Sequence, residues 1–302
     1  KPREDFSLIK VILWDIDGTL LNFKMSERYA IDYCFNKFHM GTCTDEMLQR
    51  YSVINRGYWE RLETGELTRE QVMLGRFHEF FESEGLPTDQ VKVFNDEYQI
   101  RLGDKAFFCD HGDELVKQLK ATVKQYAVTN GTTVAQERKL RFSGLDQLLD
   151  GVFISEQVGV DKPQKAFFDA VWNEIGSYAP DEVVIVGDSL TSDIRGGKNA
   201  GILTYWYNPD HLPNKIEVTP DCTIDNLQDI LSYLDESMPG QRGGELVKRG
   251  GVSDGNVLRV ELRDLRQQLI DAGISGQTEH LIAVHTADVQ ALGADEPVEP
   301  KV

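Results

Sequence analysis

Apolar residues follow two rhythms along this chain. Ile9, Val11, Ile12, Leu13 and Trp14 form a short, nearly unbroken run, the pattern of a strand buried on both faces of a parallel sheet. From residue 22 to residue 105 the spacing turns helical. Candidate N-caps Ser26, Thr44, Thr68 and Thr88 answer to candidate C-terminal glycines Gly41, Gly65, Gly85 and Gly103, which predicts four helices. Thr68 and Gln71 have capping-box spacing, and Val72, Phe77, Phe80 and Phe81 then fall on one side of the helix they open. Tyr58, Trp59 and Phe94 read as further core, so this stretch is expected to be an all-helical unit.

Beyond Phe107 strands and helices alternate. Expected are a helix near Asp113 to Lys120, a strand from Val123 to Thr129, a helix from Thr132 to Phe142 and a strand from Gly151 to Ile154. A helix with Pro163 in its first turn follows to Ile175, then a strand from Val183 to Val186 and a helix near Thr191 to Asn199. A strand from Ile202 to Tyr207 and a helix from Asn226 to Leu234 complete the series. Strict alternation argues for an α/β fold with a doubly wound parallel sheet, and the helical unit is the one insertion in it. The expected organisation is an α/β core over residues 1–21 and 106–236 with a helical insertion at 22–105. All 28 aromatic residues lie before residue 234, so the remainder is compositionally separate: a glycine-rich linker at 237–255 and an unassigned C-terminal extension at 256–302. In that extension Leu258, Leu262, Leu265 and Leu269 make an amphipathic helix stripe, and Leu281 to Val284 a short strand.

Composition narrows the partners. The formal charge of −18 repels nucleic acid and anionic membrane surfaces, so a phosphate-bearing ligand would need local cations or a metal. Cys34, Cys43, Cys109 and Cys222 contain no C-x-x-C pair, which argues against a zinc cluster or disulfide framework and for reduced thiols in a cytoplasm. No apolar run reaches the roughly 20 residues of a membrane span, and the first residues, beginning at Lys1 rather than Met, lack a signal-peptide pattern.

The candidate chemistry sits where predicted strands end. Asp15 and Asp17, followed by Gly18 and Thr19, close the first strand at the carboxyl edge where open α/β sheets bind ligands. Two acids on one turn repel, and a divalent cation would offset them; a capped turn with solvated acids is the alternative. Thr129-Asn130-Gly131 ends the next strand with a hydroxyl and backbone N–H groups suited to phosphate oxygens, although such a tripeptide also makes an ordinary turn. Lys162 stands just before a predicted helix, where an anion is favoured and where a plain surface lysine would also be at home. Gly187-Asp188-Ser189, with Asp193 beyond it, adds acids that would complete an oxygen ligand set for magnesium.

Over roughly residues 8–235 these motifs resemble the haloacid dehalogenase superfamily, in particular its phosphatase branch. The resemblance implies that Asp15 is the nucleophile that forms an aspartyl-phosphate, and that Asp17 is the general acid/base and ligates Mg²⁺ through its backbone carbonyl. It implies that Gly18, Thr129, Asn130, Gly131 and Lys162 hold the transferring phosphoryl group, with Lys162 also balancing Asp15. The metal set would be Asp15, Asp17, Asp188 and Asp193, and the helical insertion would be the family's type-one cap, which closes over the site and selects the substrate. Within the branch, Trp14 to Phe23 and Val186 to Gly197 look most like bacterial pyrimidine 5′-nucleotidases, whose substrates are small phosphate esters. A phosphatase or phosphomutase of another ester, such as a sugar phosphate or phosphoglycolate, would share every motif. A non-catalytic binding module of the same fold stands as the reading from another class, and monomer and homo-oligomer are both compatible with the sequence.

Overall fold

The structure, a computed structural model, describes residues 9–235. Six parallel strands form one sheet: β1 (Val11–Trp14), β2 (Lys124–Thr129), β3 (Gly151–Ile154), β4 (Val183–Gly187), β5 (Leu203–Tyr207) and β6 (Cys222–Ile224). Their order is β3-β2-β1-β4-β5-β6, so the chain reverses its winding beside β1. β1 lies in the middle, with Trp14 opposite Ala127 of β2 and Val186 of β4. Its unbroken apolar run follows from that position. Ile12 and Trp14 pack into the cluster on one face, with Leu115, Leu145 and Tyr207, whereas Val11 and Leu13 pack into the other, with Phe167, Val171 and Ile185.

Four helices follow β1: α1 (Phe23–Lys37), α2 (Asp45–Glu63), α3 (Arg69–Glu84) and α4 (Val91–Arg101). They enclose an aromatic core of their own, in which Tyr51 stacks on Phe77 at 4.9 Å and Phe94 meets Phe77 and Phe81 edge-on at 5.1 and 5.0 Å. The caps at Thr44 and Thr68, the capping box with Gln71 and the left-handed Gly85 are as the sequence predicts. Two starts differ. Asn22, not Ser26, caps α1: its side chain accepts from the Met25 N–H, and Ser26 is buried inside the first turn. Thr88 opens a short 3₁₀ turn, Thr88–Gln90, that runs into α4 without a side-chain cap. Gly65 and Gly103 directly follow the C-caps Thr64 and Leu102, where a helix-ending glycine belongs, whereas Gly41 lies three residues past the C-cap Phe38.

The core continues with α5 (Gly112–Leu119), α6 (Thr133–Ser143), α7 (Leu145–Leu148), α8 (Ser155–Val158), α9 (Lys165–Ile175), α10 (Arg195–Ala200) and α11 (Ile230–Asp235). Pro163 precedes α9 instead of joining its first turn, because Gln164 in extended backbone intervenes. The helix expected after β4 is split into a π-turn, Leu190–Ile194, and α10. β6 escapes sequence reading because only Ile224 of its three residues is buried. α6 belongs to the α/β part by its place in the chain, yet Ala135 packs into the aromatic core of the helical unit. The leucine stripe and strand expected beyond residue 255 lie outside the described residues.

Candidate active site

The carboxyl ends of the three central strands, β2, β1 and β4, bring the predicted motifs together. Asp15 follows β1 directly, and Thr19, one turn later, donates its hydroxyl to Asp15 Oδ2 at 3.0 Å. The same hydroxyl accepts from the Asp188 N–H at 3.1 Å, tying the first strand's loop to the fourth's. Gly18 makes the turn at φ +92°, and a Cβ there would stand 2.5 Å from an Asp188 carboxylate oxygen. Both the left-handed backbone and the close approach require glycine.

Lys162 reaches in from the loop before α9 and is 1% exposed. Its ammonium donates to Asp15 Oδ1 at 2.8 Å, Asp193 Oδ1 at 2.7 Å and the Val128 carbonyl at 2.6 Å, which uses all three of its protons. Asn130 fixes that loop from β2, accepting from the Lys162 N–H and donating to the Lys162 carbonyl, each at 2.9 Å. Its side chain is thereby committed to the lysine loop, and its backbone is the part left to face a ligand. The Gly131 N–H donates to Ser155 Oγ at 3.2 Å. The hydroxyl of Thr129, which follows the Val128 whose carbonyl holds Lys162, is buried without a hydrogen-bond partner, an open position that an anionic oxygen would satisfy.

Acid outnumbers base here. Oxygens of Asp15, Asp188 and Asp193 converge within 4.8 Å of one another around the single Lys162 cation. Burial first, then the Asp193 charge, pushes the Asp15 carboxyl up to about 7 against the pull of Lys162. Asp188 is exposed at its rim but otherwise closely packed; desolvation first, then the Asp15 and Asp193 charges, raises it well above the carboxylate range. Burial alone would lower Lys162, yet its two carboxylates outweigh burial and raise it. Such a surplus of hard oxygen donors fits a divalent cation of the magnesium type. Asp15 and Asp188 have lone pairs to give, and the Asp17 carbonyl takes part in none of the backbone bonds that close its turn. Asp193 is more engaged, since its oxygens already accept from Lys162 and from the Ser189 N–H, so it braces the cluster as well as facing it.

Asp17 does not join that carboxylate cluster. Its two oxygens accept from the Lys139 ammonium at 2.5 and 2.7 Å, and one also accepts from Gln136 Nε2 at 2.7 Å. Both partners lie on α6 one turn apart, where a charged position in a helix ordinarily reads as solvent-facing. The sequence also gave no sign of two residues from the helical unit. Glu63, at the end of α2, has one carboxylate oxygen buried without a partner. Burial raises its carboxyl to about 7, opposed by a hydrogen bond with Thr191 of the π-turn and assisted by the Asp193 charge. Arg69, at the start of α3, donates to the Gly131 carbonyl at 2.9 Å and to Ser155 Oγ at 2.7 Å, and pairs with Asp161. Among the described residues no helix is long and apolar enough to cross a membrane.

Known proteins share this arrangement of sequence and fold. Residues 9–201 match the family model described as haloacid dehalogenase-like hydrolase. The HAD-hydrolase YfnB of Bacillus subtilis, described as putative, is 33% identical over 74% of this chain and 95% of its own. Its crystal structure, bound to magnesium, superposes with a TM-score of 0.71 at 32% identity, covering 76% of this chain and all of that one. The pyrimidine 5′-nucleotidase PynA of Streptococcus pneumoniae is 32% identical over 76% of this chain and 96% of its own. The pyrimidine 5′-nucleotidase YjjG of Escherichia coli is 30% identical over 74% of this chain and 96% of its own.

Proposed function

The chain belongs to the haloacid dehalogenase-like hydrolases, and from that premise we propose that it is a magnesium-dependent phosphomonoesterase that cleaves pyrimidine nucleoside 5′-monophosphates through an aspartyl-phosphate. The observation that carries the reading is Lys162, a buried ammonium shared between Asp15 and Asp193 and bonded to the carbonyl of Val128, the residue before Thr129 with its unpartnered hydroxyl. A phosphoryl group seated against Asp15 meets a cation on one side and an open hydroxyl on the other, which is electrostatic stabilisation aimed at the transferring oxygens.

Asp15 Oδ2, steadied by Thr19, attacks phosphorus as the ester bond breaks. Asp17 gives a proton to the departing nucleoside oxygen, then takes one from the water that attacks the aspartyl-phosphate, so the carboxyl returns to its starting state and free phosphate leaves. Lys162 and Thr129 hold the non-bridging oxygens through both halves. A magnesium ion held by Asp15, Asp188 and the Asp17 carbonyl, with Asp193 beside them, would neutralise phosphoryl charge that Lys162 alone leaves uncompensated. The nucleotide preference rests on PynA and YjjG, both pyrimidine 5′-nucleotidases over nearly their full lengths. Phosphate release measured across nucleoside monophosphates, sugar phosphates and phosphoglycolate, with and without magnesium, tests it. Pyrimidine monophosphates are expected to give the highest kcat/KM, and preference for a sugar phosphate would replace the substrate while keeping the chemistry.

A further inference from the structure

Lys139 is as buried as Lys162, at 1% exposed, yet it touches neither the carboxylate cluster nor the lysine loop. Its ammonium bonds only with the two oxygens of Asp17 and lies 5.2 Å from the centre of the Phe23 ring. Burying a lysine against one acidic partner carries a desolvation penalty that a leucine in its place would not. Gln136 adds a third bond to the same carboxylate and meets the Gly131 position closely, since a Cβ there would come within 2.5 Å of its Nε2. Three hydrogen bonds from two side chains fix the plane of the Asp17 carboxylate as well as its place. Asp17 is still 20% exposed at its side chain, so solvent could satisfy part of it without these bonds.

We propose that Lys139 and Gln136 are positioning residues for Asp17: they hold its carboxylate in the one rotamer from which it serves both proton transfers. This rests on the reading of Asp17 as acid/base. Without the pair, the side chain spreads over several rotamers, and the orientation that makes a carboxyl an effective acid/base is lost. The proton balance is unchanged; what suffers is the fraction of time the acid faces the ester oxygen or the water. An ester with a good leaving group needs little protonation there, so the defect depends on the leaving group.

The test compares full-length Lys139→Met, Gln136→Met and Asp17→Asn in magnesium with 4-nitrophenyl phosphate and an alkyl phosphate. Lys139→Met is expected to lose about 10- to 100-fold in kcat/KM on the alkyl ester, within the span of general acid/base effects, and less than about threefold on 4-nitrophenyl phosphate. Because water attack also slows, it should release nitrophenolate in a burst stoichiometric with enzyme, a signature that simple loss of packing does not create. Gln136→Met keeps the ammonium and should show the same split at a smaller size, which decides the matter if Lys139→Met fails to fold. Adding Lys139→Met to Asp17→Asn should cost no more than about a further twofold, as expected of residues acting through one group. Equal losses on both esters without a burst, or losses that multiply in the double variant, would overturn the positioning role. If Asp17→Asn itself shows no split, the acid/base reading falls and this inference with it. A normal Asp17→Asn defect beside unaffected Lys139→Met and Gln136→Met overturns the inference alone.

Discussion

Among the buried cations of the described residues, Arg76 of the helical unit and Lys162 at the sheet edge differ most in the charge balance around them. In the helical unit Arg76 is 1% exposed and donates to Asn55 at 2.8 Å and Asn95 at 3.2 Å, with its guanidinium near the rings of Phe77 and Tyr98. One acid answers it: Glu27, bridged through Asn55 and held by Ser52. At the sheet edge Lys162 faces Asp15 and Asp193 directly, and Asp188 crowds them, so three carboxylates share one ammonium. A network whose charges balance internally needs no cation from outside. One left with surplus negative charge asks for a cation from outside, which marks the sheet edge as the candidate site.

The largest effect that could break this contrast is at Asp15, the proposed nucleophile. Asp15→Asn is expected to lower kcat by more than about a hundredfold, several kcal/mol of transition-state stabilisation, with the melting temperature preserved. A variant retaining more than a hundredth of wild-type kcat would place the nucleophile elsewhere. Excess chelator should likewise abolish turnover, magnesium should restore it and calcium should not, because its larger and looser shell misplaces Asp15 against phosphorus; full activity in chelator would show that the surplus charge is met in another way.

How far the sequence could see depends on the same contrast. Motif residues fixed by backbone demands were legible: Asp15 and Asp188 at strand ends, Gly18 at a left-handed turn, Thr68 with Gln71 at a helix start. Burial that depends on tertiary placement was not. Lys139 and Gln136 look like the polar face of an ordinary helix until α6 is seen to lie between the sheet edge and α4, where Thr132 also bonds Gln99. Ser26 looked like a cap because a serine precedes an apolar run, but Asn22 reaches the free N–H groups first. Glu63 and Arg69 carry no motif at all, since what they face is decided by how the helical unit meets the loops of the core.

Arg76→Met tests the balanced network. Leaving Glu27 buried without its cation should cost about 3 kcal/mol, read as a fall of about 6–12 °C in melting temperature for a chain of this size. The kcat of the folded protein at 25 °C should stay within about threefold, since Arg76 touches no group of the site. A collapse of kcat with an unchanged melt would make the helical unit's interior part of the catalytic machinery.

The unbalanced network should betray itself in pH dependence. Asp15 is raised from 3.8 to about 7 in the folded chain, so the folded state holds a proton there that the unfolded state has released. Its contribution to stability is full below the unfolded value and is lost as pH rises through about 7. In chelator the melting temperature should therefore fall between pH 5 and 8, and magnesium should raise it more at pH 8 than at pH 5; a metal-free melt that rises across that range would contradict the charge surplus. The smallest effect is expected from truncation after Glu236. It should leave kcat/KM and the melting temperature nearly unchanged, because the sheet and α11 are complete by Asp235; a fall of several degrees would mean that the leucine stripe at Leu258 docks on the enzyme.

In the proposed mechanism Asp15 takes the phosphoryl group. The direct measurement is an acid-quenched single turnover of Asp17→Asn, which slows loss of the group, with 4-nitrophenyl phosphate carrying a radiolabelled phosphoryl group, followed by peptide mapping. One hydroxylamine-labile label per enzyme is expected on the peptide containing Asp15, and none when Asp15→Asn is added. No covalent label during phosphate release, or a label on any other side chain, would contradict it.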